Sequence, residues 1–157
     1  MFSTRHKVLT GLVFLSLLVL IALRVSSHCQ MPCGIYDDEM RIKMIAEYIT
    51  TIEKSMKEIT ELSAQDKQNM NQIVRWVQNK EHHADELSEI VTQYFMTQRL
   101  KPVEADHSEA YMEYVNELTF LHQMLIYSMK SKQTTDLANV EKLRSLLTSF
   151  KDAYFKE

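Results

Sequence analysis

Glycine and proline are nearly missing: the 157 residues hold two of each, Gly11 and Gly34, Pro32 and Pro102. Everything from Asp37 to Arg99 and from Val103 to the end therefore lacks the strongest helix breakers, and composition points to helices. No phosphate-cradling glycine loop or nucleophile elbow can be found, and strand-like alternation is absent. Cysteine is as scarce. Cys29 and Cys33 are the whole complement, too few for two-pair zinc patterns and spaced differently from the redox Cys-x-x-Cys pair. A di-iron bundle uses two Glu-x-x-His pairs on facing helices, whereas only Glu104 and His107 make one here. Basic residues are also in the minority, with no basic run, which argues against nucleic acid as a partner.

What is present begins with an export signal. Arg5, His6 and Lys7 precede an uncharged run from Val8 to Leu23, and Val25 and Ser27 are the small residues that signal peptidase reads before its cut. The run of about 16 residues is shorter than the roughly 20 that span a bilayer as a helix, and Thr10, Gly11 and Ser16 interrupt it. Residues 1–27 are thus expected to be a signal peptide, removed by signal peptidase, with the mature chain starting at His28 in a secreted or periplasmic compartment. Membrane association would then be confined to the uncleaved precursor. The rival is an uncleaved anchor, which leaves His28 in a peptide bond. Cleavage leaves 130 residues, enough for a single core, with 15 Lys and Arg against 21 Asp and Glu and a formal charge of −6. Such a chain repels anions, so steering an anionic substrate would need locally placed cations.

Four segments repeat apolar residues at helical spacing. The first, about Asp38 to Leu62, aligns Met44, Ile45, Tyr48, Ile49, Ile52, Met56 and Ile59, with Asp37, Asp38 and Glu39 suited to the positive end of its dipole. The second follows Ser63-Ala64 as a plausible cap, buries Met70, Ile73, Val74, Val77, Ala84, Leu87, Val91, Tyr94 and Phe95, and ends near Leu100-Lys101-Pro102. The third carries Tyr111, Tyr114, Val115, Leu118, Leu121, Leu125 and Met129. The fourth follows a polar break at 130–135 and carries Leu137, Val140, Leu143, Leu146, Leu147, Phe150 and Tyr154. Short connections make consecutive helices antiparallel, so residues 37–157 read as an all-α, up-and-down four-helix bundle. His82 and His83, about 100° apart on a helix and surrounded by Glu81, Asp85 and Glu86, read as a solvated face. His122 reads as a hydrogen-bonded core histidine.

The chemistry falls to residues 28–36, His-Cys-Gln-Met-Pro-Cys-Gly-Ile-Tyr. Pro32 fixes one φ and Gly34 permits a conformation other residues resist, so the segment can curl both sulfurs, a free terminal amine and a backbone nitrogen onto one ion. A planar nitrogen and sulfur set favours Ni(II) or Cu(II) over tetrahedral zinc. A Cys29–Cys33 disulfide is an equally open reading in an oxidising compartment, although so small a loop gains little from closure.

The string His-Cys-x-x-Pro-Cys-Gly-x-Tyr at a mature N-terminus resembles the nickel-hook motif of the nickel-containing superoxide dismutases, with His28, Cys29, Pro32, Cys33, Gly34 and Tyr36 in register. Asp37 follows the hook as an acid commonly does there. The second helix also looks similar around Glu81-His82-His83 and Tyr94-Phe95. The resemblance implies a nickel ion held by the thiolates of Cys29 and Cys33, the Cys29 amide nitrogen, and the amine and axial imidazole of His28. It implies cycling between Ni(II) and Ni(III) as superoxide becomes oxygen and hydrogen peroxide, a hexamer of four-helix-bundle subunits, and Tyr36 flanking the open face. Two positions depart from the family pattern: Gln30 replaces a frequent acid, and Met44 stands where ungapped counting places a Glu that orients the imidazole. Glu47 lies one turn further on. Lys80 is a candidate cation for supporting His28 or attracting superoxide, with an ordinary surface lysine as the plain alternative. The class-distinct alternative for the whole chain is an exported or membrane-anchored helical-bundle interaction module with Cys29 and Cys33 paired and no catalysis.

Overall fold

A carboxylate starts the first helix. Asp37 caps α1, Asp38–Ser63, by accepting the Met40 amide at 2.9 Å, and Asp38 and Glu39 add negative charge to its first turn. The structure is a computed structural model that describes residues 6, 13, 14, 16, 32, 34–105 and 108–156. The expected signal peptide and the donors His28, Cys29 and Cys33 lie outside those residues. Gly34–Glu157 forms one compact unit, all-helical among its described residues, with four α-helices.

Along α1 the residues Ile42, Ile45, Ile49, Ile52, Met56 and Ile59 are buried at three-to-four spacing, which is the face the sequence predicts. The second helix departs from expectation at its start. Ala64 closes α1 by donating its amide to the Thr60 and Glu61 carbonyls, and Asn69 is the cap of α2, Met70–Glu89. Met70 and Val74, expected in the core, are 58% and 50% exposed. The reason is length: Lys80 sits level with the end of the third helix, so the ten residues before it, about 15 Å of helix, project beyond that neighbour. They pack on α1, through the Asn79 amide on Ser55 Oγ at 2.9 Å and Lys54 over the Trp76 ring.

From Ile90 to Arg99 the second helix continues as a π-helix. Its wider turn appears in side chains that reach five residues back: Thr97 Oγ1 donates to the Thr92 carbonyl at 2.6 Å and Gln98 Nε2 to the Gln93 carbonyl at 2.8 Å. It stops at Leu100, in extended conformation, ahead of Lys101 and Pro102 as predicted.

Ser108 caps α3, Glu109–Gln133, and a turn from Thr134 to Leu137 leads into α4, Ala138–Phe155. The break therefore begins at Thr134, since Lys130 to Gln133 remain helical. Met129 and Leu137, expected in the core, are exposed, as is His122, which is no core histidine. Helix α3 turns Leu121, Met124, Ser128 and Ser131 inward, and a hundred degrees per residue carries His122 off that face. Neighbouring helices run antiparallel. The start of α1 meets the end of the π-helix through Asp38 and Arg99, and it meets the end of α4 through Tyr154. The start of α3 meets the end of α4 through Glu113 and Lys156. Phe95 and Phe150, with ring centroids 5.0 Å apart, fill the centre at this end of the bundle.

Candidate metal centre and its surroundings

The described part of the hook segment ends in a conformation only glycine takes easily: Gly34 has φ 90°. Among the described residues beyond its chain neighbours, no atom lies within 4 Å of where its Cβ would stand, and the requirement for glycine is conformational. Ile35 is exposed, and Tyr36 then lies against the bundle. The Arg99 guanidinium covers its ring at 4.4 Å, and the Tyr94 ring meets it edge-on at 5.8 Å.

Beneath Tyr36 the helices converge on one carboxylate. Asp38 Oδ1 accepts Arg99 Nε at 2.8 Å and the Tyr94 hydroxyl at 2.6 Å, while Oδ2 accepts Arg99 Nη2 at 2.6 Å and the Tyr154 hydroxyl at 2.9 Å. A forked, charge-assisted pair with two phenol donors is strong. Burial alone would raise the Asp38 pKa, but the bonds from Arg99, Tyr94 and Tyr154 outweigh it and hold the carboxyl below its ordinary value. Burial and the Asp38 carboxylate push both phenols up, to about 12.

Met44 is half-buried, with its sulfur 3.7 Å from Arg41 Nη1, and Glu47 is exposed. Arg41 also places its guanidinium 5.0 Å above the Tyr94 ring. His83 packs edge-on against Tyr48 and bonds the Asn79 carbonyl through Nδ1 at 2.8 Å, so of the adjacent pair only His82 faces solvent. Glu104 is exposed in the connection before α3, and its partner His107 lies outside the described residues.

Lys80 is not a surface lysine. It is 4% exposed, and Nζ donates to the Lys132 carbonyl at 2.8 Å and the Thr134 carbonyl at 3.0 Å, satisfying two groups at the end of α3. Burial lowers its pKa. Lys80→Met should lower stability by about 1–3 kcal/mol, because two carbonyls lose their donor, and a thermal melt unchanged from the parent would contradict that role.

Among the described residues no group of three or more His, Cys, Asp and Glu could hold a metal ion, and the candidate donors that the sequence names are at residues 28–33. Both cysteines of the chain are there, beside a histidine, and that soft sulfur and nitrogen set suits nickel. Sequence reading singled out Tyr36 but missed Asp38, Arg99 and Tyr154 as a linked group. The only available signal was an Arg five residues after Tyr94 and an acid two residues after Tyr36.

Comparison with known proteins adds one finding. A family model described as nickel-containing superoxide dismutase matches residues 23–157. No curated protein and no solved structure matches the chain.

Proposed function

Because this chain belongs to the nickel-containing superoxide dismutase family, an oxidoreductase family with nickel as cofactor and superoxide as substrate, we propose that its ion is held by residues 28–33. The thiolates of Cys29 and Cys33, the Cys29 amide nitrogen, and the amine and imidazole of His28 are the donors. When bound, nickel supplies a one-electron couple between Ni(II) and Ni(III), through which one superoxide is oxidised to oxygen and the next, with two protons, is reduced to hydrogen peroxide. The observation that carries this assignment is the joint one of donor chemistry and family membership: both thiols of the chain flank Pro32 beside His28, within the matched span.

The remaining residues hold and shield. Tyr36, with its ring fixed by Arg99 and Tyr94, flanks the open face and orders water by its hydroxyl. Lys80, buried on the Lys132 and Thr134 carbonyls, acts by fixing the end of α3. Residues 1–27 direct export and are removed by signal peptidase, giving a secreted or periplasmic enzyme, and subunits assemble as the hexamer that the family resemblance implies.

Mass spectrometry of the mature N-terminus together with nickel analysis tests this reading. The expected result is a chain starting at His28 with one nickel per subunit. Residues retained ahead of His28, or a Cys29–Cys33 disulfide in a nickel-free protein, would overturn it in favour of an interaction module.

A further inference from the structure

An acidic dismutase has an electrostatic problem. The mature chain carries −6, its substrate is an anion, and a rate near the encounter limit needs positive potential beside the open face. The cations near Tyr36 are mostly spoken for. Arg99 is neutralised by Asp38 through two bonds. Lys43 pairs with Glu39 at 3.7 Å, and Lys101 bonds the Gln98 carbonyl.

Arg41 is the exception. It has no carboxylate within ion-pair distance among the described residues, and its Nε is buried without a hydrogen-bond partner. Its one side-chain contact of that kind is Nη1 to the Met44 sulfur at 3.7 Å, and thioether sulfur is a weak acceptor. Asp38, the carboxylate at the start of α1, is engaged with Arg99. The guanidinium is held 5.0 Å over the Tyr94 ring, the same ring that touches Tyr36 at 5.8 Å.

We propose that Arg41 is a binding site for a small monovalent anion, and that superoxide is the anion it collects. A diatomic anion suits the edge of a guanidinium, where adjacent N–H groups donate in parallel. Nε is enclosed, so the terminal Nη1 and Nη2 groups are the donors, on a guanidinium that stands 5.0 Å from the Tyr94 ring centroid. The second half of this proposal rests on the dismutase reading; the first half does not.

Two measurements test it. In metal-free protein, azide serves as the probe and the Nε–H resonances of the arginines are followed by nuclear magnetic resonance. Arg41 should shift and saturate, while Arg144, bound to Glu53 on the flank of α4, should not. No saturable shift at Arg41 overturns the site. In nickel-loaded enzyme, Arg41→Gln should lower kcat/KM at low salt about tenfold and flatten its dependence on ionic strength, Arg41→Lys should restore most of the slope, and Arg144→Gln should leave it unchanged. Nickel content and the thermal melt must match the parent; if Arg41→Gln fails to fold, Arg41→Lys and the azide titration decide. Equal effects of Arg41→Gln and Arg144→Gln overturn the proposal by showing that net charge is what matters. Azide binding at Arg41 in a chain that does not dismutate superoxide leaves the anion site standing and overturns superoxide as its occupant together with the enzyme reading.

Discussion

A chain left with one extra residue ahead of His28 should retain little nickel and lose dismutase activity by at least two orders of magnitude. Acylation turns the terminal amine, a neutral donor with a free lone pair, into an amide whose nitrogen donates only after losing a proton. Removing an outer partner of a ligand already costs about 10- to 100-fold in affinity or activity, and here a donor itself is lost. Cys29→Ser and Cys33→Ser should be equally damaging, since a hydroxyl offers hard oxygen in place of the soft thiolate that suits this ion. In all three variants helicity should persist, because the buried core runs from Ile42 to Phe150. Nickel analysis, dismutation assays and circular dichroism on each variant check this. A full complement of nickel with parental activity in any of them would refute the assignment of its donor.

The second large effect lies in the bundle. Asp38→Asn should cost about 2–4 kcal/mol, roughly 10 °C in Tm for a domain of this size. Asn keeps the volume but removes the charge that two Arg99 bonds and two phenols share, leaving a guanidinium against Tyr36 without its counter-ion. The pH dependence distinguishes this from general damage. The folded Asp38 carboxyl sits below its ordinary value, so the stability it contributes is full above about pH 4 and is lost as the pH falls through the depressed folded value. Tyr94 and Tyr154, raised to about 12, hold protons in the folded state that the unfolded chain has released, so stability falls as pH rises from about 10 to about 12. Asp38→Asn should abolish the acid limb and weaken the alkaline one, which burial of the two phenols partly maintains. A parallel downward displacement with the acid limb retained would mean that the carboxylate is not the linked group.

Periodicity made four helices and the inner face of α1 legible, because the isoleucines from Ile42 to Ile59 recur at a spacing that no other element uses. It misplaced Met70 and Val74 because exposure there is decided by where α3 ends, which is a property of another helix. It put His122 inside for a related reason: α3 has apolar residues on more than one side, and packing selected the face with Leu121 and Met124. The hook was legible as a string of residue types, since donors are chemistry before they are geometry. The Asp38 cluster was not. Tyr94 and Arg99 stand five apart, about 140° around an α-helix, and only the π-helical turn brings both side chains to the same carboxylate.

That turn has a consequence for how this chain tolerates change in length. A ten-residue π-helix holds its residues in a looser winding than the α-helix that feeds it, so it works as a take-up reel: removing one residue between Ile90 and Phe95 lets the winding tighten without moving either end of the element far. What a deletion changes is phase. The apolar positions before it keep their place, while those after it rotate, and Arg99 swings from under Tyr36. Length variation in this stretch is therefore expected to be felt in the core as well as at the hook, because Phe95 turns with Arg99 and leaves its place against Phe150.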